Sequence, residues 1–152
     1  MMSTKDPLEY AWMWFEYHAG QRLATFRFFL VLLGALVAAL VAGANAADQY
    51  PSLARALAAF GAFVSLAFFF LELRNERLVD IGRDALSHIE KTDPVLSANA
   101  QLQLVNTDRG PRRKWWLSYK FWCRAIYLLS FLLLTLAAYD PNIVFGHFVG
   151  AK

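Results

Sequence analysis

Cysteine occurs once in the 152 residues, at Cys123. A single thiol excludes an internal disulfide and any zinc or iron–sulfur site built from several cysteines, and it leaves the redox compartment unread; the residue suits a small apolar filler on a helix. Charge is also sparse, at 18%, against 58% hydrophobic and 16% aromatic residues. The apolar residues fall in blocks, so lipid rather than a folded core is the expected solvent. The interiors of those blocks offer only Ser65, Ser130 and Thr135, which disfavours a path of ionisable groups at the midplane of one chain. The polar segments lack a Gly-rich phosphate loop, HExxH, GxSxG and a close acid pair, so no enzyme is expected. An enzyme acting on lipid or quinone would have to use Glu16, His18 and Asp84, for which a structural role is the simpler reading.

What is present is uncharged length. Residues 28–47 are twenty in a row without a charge, enough at about 1.5 Å each to cross roughly 30 Å of hydrocarbon. A second uncharged run covers 56–71; Arg55 at its outer end can snorkel, and Pro51 with Ser52 offers a helix start. A third, 121–139, contains Arg124, which is tolerated near a helix end although costly, at about 3 kcal/mol, at a bilayer centre. Arg112, Arg113, Lys114, Trp115, Trp116 and Arg124 form a basic and aromatic belt suited to lipid headgroups, with RNA a much weaker alternative. Three spans are therefore expected; two spans with an interfacial third helix is the alternative.

The net charge of +3 could suggest nucleic acid, but thirteen of the fifteen basic residues lie before Phe28 (three) or between Leu71 and Ala125 (ten). Basic residues retained on the cytoplasmic side explain that distribution, with the N-terminus inside, the C-terminus outside and no nucleic-acid partner. Ala44-Asn45-Ala46 has the form of a signal-peptidase site, but the preceding segment is long and acid-containing for a leader, so retention is expected.

The expected fold is an all-α integral membrane protein, a long antiparallel helical hairpin with a cytoplasmic stalk plus a third transmembrane helix. Its parts are an N-terminal helix over 7–47 with the span 28–47, a helix over 52–92 with the span 56–71, a cytoplasmic connection 93–114, a third span 115–140 and an external tail 141–152. Asp6 and Pro7 are a cap and first-turn proline, and Thr92-Asp93-Pro94 ends the second helix. The predicted register sets Arg27 level with Glu72, His18 near Gly82 and Trp12 near Ser87. His18 and His88 are then about 9 Å out of step, which disfavours bis-histidine haem within one chain; no cofactor is expected.

His18, Gln21, Arg22 and Thr25 share one helical face, and Arg22 and Arg27 are expected to pair with Glu72, Glu76 or Asp80 on the facing helix. Gly34, Ala38 and Ala42 form a small-residue stripe matched by Ala58 and Ala62, suited either to packing within the hairpin or to self-assembly through whichever stripe stays free. The bulkier third span is expected on the lipid-facing outside.

The stretch His18-Ala19-Gly20-Gln21-Arg22, followed by Phe28-Phe29-Leu30, and the stretch Leu71-Glu72-Leu73-Arg74-Asn75 at the end of the second span resemble those of small bacterial multi-span membrane proteins with an HAxQR…FFL motif. The layout over residues 8–92 is also similar to SLATT-type membrane effectors, although the third span departs from their two-span pattern. The resemblance implies an inner-membrane, oligomeric effector associated with nucleotide-linked antiphage defence, controlled by a signalling partner through its cytoplasmic stalk. His18, Gln21, Arg22, Arg27, Glu72, Arg74 and Asn75 would then couple stalk to spans. The alternative is a non-catalytic accessory or anchoring subunit of a larger membrane complex.

Overall fold

The computed structural model describes residues 6–45, 51–108 and 118–140. The belt residues Arg112, Arg113, Lys114, Trp115 and Trp116, and the tail 141–152, lie outside the described residues. Among those described, every regular element is helical and there is no strand.

Helix α1 (Pro7–Asn45) starts where Asp6 Oδ1 accepts a hydrogen bond from the Leu8 amide at 2.8 Å and Pro7 supplies a φ already fixed for helix. No proline follows, and the helix runs for 39 residues. Helix α2 (Pro51–Thr92) also begins on a proline and runs for 42. Each is about 60 Å long, twice the hydrocarbon thickness, so neither can lie wholly within a bilayer it crosses at ordinary tilt. Asp93 then caps α3 (Pro94–Ala98), accepting from the amides of Val95 and Leu96 at 2.8 and 3.1 Å. A 3-10 turn at Ala100–Leu102 and helix α4 (Leu104–Asp108) follow, and α5 covers Tyr119–Tyr139. Three segments, Pro7–Gly43, Ser52–Thr92 and Tyr119–Tyr139, are long and apolar enough to cross a membrane.

The chain divides into two compact units, Met1–Ala24 with Glu72–Trp122, and Thr25–Leu71 with Cys123–Lys152. The second is apolar. Phe29 and Tyr127 are buried with ring centroids 4.6 Å apart, Phe68 lies 5.3 Å from Phe29, and Cys123 fills the space beside them. A second cluster packs Leu40 of α1 and Leu134 and Ala137 of α5 onto Ala58 and Ala62 of α2. Gly61 makes this approach possible, because a Cβ there would stand 3.0 Å from Leu134 Cδ1 and 3.4 Å from Leu36 Cδ1. Two hydroxyls in this unit bond to carbonyls of their own helices, Ser65 to Gly61 at 2.9 Å and Thr135 to Phe131 at 2.7 Å, which satisfies them without water.

One expectation about packing is narrowed and another corrected here. Gly34, Ala38 and Ala42 are exposed, with nothing within 4 Å of a Cβ built on Gly34, and Leu36 and Leu40 take the place opposite Ala58 and Ala62. Large side chains set into small ones fill the interface better than two small stripes would. The third span is also not wholly outside, since α5 buries Cys123, Tyr127, Ser130, Leu134 and Ala137, a face repeating at three and four residues.

The first unit carries most of the charge. Its register differs from the predicted one: Gly82 faces Phe15 and Trp14 rather than His18, and Trp14 Nε1 donates to the Leu78 carbonyl at 3.1 Å. A Cβ on Gly82 would lie 2.9 Å from Trp14 Cδ1 and 3.1 Å from Phe15 Cα, so the close approach depends on glycine. Gly82→Ala is therefore expected to destabilise the chain by about 1–3 kcal/mol through overpacking against backbone, read as an earlier thermal transition in detergent. An unchanged transition would mean that α1 yields at Phe15.

Beyond Gly82, α2 also organises the polar connection. Glu90 accepts from the amides of Val105 and Asn106 at 2.9 and 3.0 Å and from Asn106 Nδ2 at 2.9 Å, serving the free amides of the first turn of α4 as a cap would. Ser87 Oγ donates to Asn106 Oδ1 at 2.7 Å, and Arg83 lies 3.7 Å from Asp108.

Candidate functional site

Glu72, Glu76 and Asp80 stand one helical turn apart and share a face of α2. Across from them, α1 supplies Arg22, whose Nε donates to Glu72 Oε1 at 2.8 Å and whose Nη2 donates to the same oxygen. Glu72 is 0% exposed and Arg22 is 7% exposed, so this ion pair is nearly dry. The Arg22 guanidinium also lies 5.2 Å from the ring centroid of Tyr119, in the first turn of α5. The next residue, Lys120, holds both oxygens of Asp80 at 2.8 and 2.7 Å and approaches Glu76 Oε1 at 3.1 Å.

The result is a charged clasp joining three helices within one unit. Desolvation makes it directional: an unpaired charge on Glu72 would be costly, so Arg22 must stay in place. The clasp is not fully satisfied, however, because Glu72 Oε2 is buried without a hydrogen-bonding partner. Next to it on α1, His18 packs between the rings of Trp14 and Tyr17, with centroids at 4.5 and 5.2 Å, and its Nδ1 is buried without a hydrogen bond. Gln21 Nε2 donates to the Tyr17 hydroxyl at 2.8 Å on the exposed side.

Of the residues singled out in the sequence, the fold brings together Arg22 and Glu72, with His18 one turn away. Of the two arginines expected to pair with Glu72, Glu76 or Asp80, Arg22 pairs with Glu72, whereas Arg27 is exposed. Arg74 is exposed and Asn75 half-buried, and neither bonds to the clasp. Arg124 is half-buried in the second turn of α5. Neither Tyr119, expected in an interfacial aromatic belt, nor Lys120 was expected at this ion pair. A visible signal for Lys120 was a cation in the first turn of a span, matched to three acids spaced by four residues on another helix. Chemically the clasp holds paired carboxylates and cations, and no group of His, Cys, Asp and Glu among the described residues could bind a metal ion.

The chain is similar to CD-NTase-associated protein 19 of Escherichia coli. The two are 28% identical over 102 residues, which is 67% of this chain and 65% of that protein, so the alignment spans just under two thirds of the relative's length. No family model matches the chain. No solved structure matches it either.

Proposed function

We propose that the chain is a non-catalytic bacterial inner-membrane effector of antiphage defence, which assembles from several copies and disturbs the bilayer when its charged unit receives a signal. The observation that carries this reading is the similarity of a chain with three membrane-length apolar helices to a CD-NTase-associated protein. In it, α1 and α2 form a hairpin that crosses the bilayer in the apolar unit and continues as a cytoplasmic stalk. The N-terminus is inside and the C-terminus outside, and Arg124 anchors the third span at headgroup level.

Function follows from where the charges stand. The clasp fixes α1, α2 and α5 to one another at Arg22, Glu72, Asp80 and Lys120, so a partner that rearranges these helices acts on all three spans at once. His18, Gln21, Arg27, Arg74 and Asn75, placed around the clasp or exposed near it, are the groups such a partner would meet.

The second reading, an accessory or anchoring subunit of a larger complex, is favoured by the large apolar side chains that α1 exposes in the charged unit, among them Tyr10, Trp12 and Tyr17. Purification from membranes in mild detergent separates the two. Self-oligomers alone are expected; stoichiometric foreign subunits would overturn the effector in favour of the accessory role. Induced expression of the effector is expected to depolarise the cells.

A further inference from the structure

We propose that copies of this chain assemble side by side through their charged units, the free face of α1 in one copy against the free face of α2 in the next. Within that unit α1 buries Ala11 and Arg22. Its opposite side carries Glu9 and Glu16 on one line, two turns apart, with exposed Trp12 on one flank and Met13 and Tyr17 on the other. No lysine or arginine is exposed there, since Arg22 is the only one between residues 6 and 24. Helix α2 buries Glu72, Val79 and Leu86. Its opposite side presents Arg74, Arg77 and Lys91 around exposed Ile81. Asp84 is the one exposed acid on that side, and it already engages its own chain.

The charges on these two faces have no use inside the unit. Arg22, Lys120 and Arg83 pair with acids of their own chain, and Glu90 and Asp93 accept from backbone amides. Glu9 and Glu16 on α1, and Arg74, Arg77 and Lys91 on α2, stand exposed and outside any ion pair among the described residues. Nor does lipid account for the α1 face. Two carboxylates along its middle are costly in hydrocarbon and are repelled by an anionic headgroup surface. Trp12, Met13 and Tyr17, 52%, 51% and 62% exposed, are therefore left to water unless protein covers them.

A second copy suits both faces at once. The α1 face calls for a basic partner and the α2 face for an acidic one, and the two point away from each other, so one chain cannot join them. Copies inserted the same way in one membrane are parallel. Helix α1 of one copy then runs antiparallel to α2 of the next, as it does to its own α2. Within the unit Gly82 stands level with Phe15. A neighbour that keeps this level sets Glu9 beside His88 and three residues from Lys91. It sets Glu16 beside Ile81 and about 6 Å along the axis from Arg77, within reach of an arginine side chain. Charge selects which faces meet, while the aromatic rings and the stems of the basic side chains supply the buried area. Contact between unlike faces is heterologous and generates a ring where the rotation closes. The proposal rests on the oligomer of the preceding reading and not on its effect on the bilayer.

Charge reversal across copies tests the contact. One full-length chain carries Glu9→Lys with Glu16→Lys, a second carries Arg77→Glu with Lys91→Glu, and each bears its own tag. Either one alone sets like charges together and is expected to give at least about tenfold less oligomer in mild detergent than the native chain. Expressed together, a copy basic on both faces meets a copy acidic on both, and the two are expected to co-purify at the native size. Helix content by circular dichroism, expected unchanged, separates lost assembly from lost folding. Should a reversed chain lose helix, Glu9→Gln with Glu16→Gln replaces it, expected to weaken assembly about threefold or more; full native assembly by that chain would overturn the proposal. Oligomer that survives both reversals, oligomer lost without rescue on co-expression, or a foreign protein released by either reversal also overturns it. Survival of the oligomer in both reversed chains rejects this interface alone, whereas a native chain that purifies as a monomer rejects the oligomeric effector together with it.

Discussion

Glu72→Ala is expected to cost the folded chain about 3–5 kcal/mol, because it leaves Arg22 charged, largely buried and without its carboxylate partner. The double change Glu72→Leu with Arg22→Met is expected to recover most of that loss. The reason lies in the pair's own shortfall: Glu72 Oε2 gains no hydrogen bond in return for its desolvation, so two apolar side chains of similar volume sacrifice little. Unfolding in detergent with increasing denaturant, followed by tryptophan fluorescence, measures both. If the single variant loses less than about 1 kcal/mol, or the double is no better than the single, the pair is more hydrated than its burial indicates.

Tyr127→Ala is expected to cost about 2–3 kcal/mol, somewhat below the usual value for removing a buried aromatic ring from a soluble core. Tyr127 is 0% exposed and lies 4.6 Å from Phe29, 6.0 Å from Phe26 and 6.4 Å from Phe68 by ring centroid. Within a bilayer the alternative to this contact is lipid rather than water, so the transfer contribution falls away and the lost van der Waals contact and the cavity remain. The same denaturation series measures it. A loss comparable to Glu72→Ala would mean that water reaches the ring in the unfolded reference state, and a loss near zero would mean that neighbouring phenylalanines close the gap.

Both effects sit at places that sequence reasoning reached unevenly. Lengths without charge announced three helices, Asp6-Pro7 marked a helix start and Thr92-Asp93-Pro94 a helix end, because capping and span length are local properties of the chain. Register is not local. Glu72, Glu76 and Asp80 present equivalent acids about 6 Å apart, and both Arg22 and Arg27 are long enough to reach one of them. Gly82 against Phe15, together with the aromatic packing around Phe29 and Tyr127, selects among the options, and those contacts join residues far apart in sequence.

The inward face of α5 was hidden for a different reason. In water, hydropathy separates inside from outside; in a membrane both sides of a helix are apolar, and Leu134 resembles its lipid-facing neighbours in everything but its fit against Gly61. The small stripe at Gly34, Ala38 and Ala42 shows the same ambiguity, since small residues mark a close approach without saying to which helix. In the clasp, Arg22 and Glu72 were legible as residues, but Tyr119 and Lys120 entered only once α5 stood beside them.

Membrane disruption is tested most directly by the potential of cells in which the chain is induced, read with a voltage-sensitive dye and compared with cells making an equal, correctly inserted amount of the Glu72→Leu, Arg22→Met chain. Collapse of the potential with the native chain and its retention with the clasp replaced is the expected result. An unchanged potential with the native chain inserted would contradict the effector.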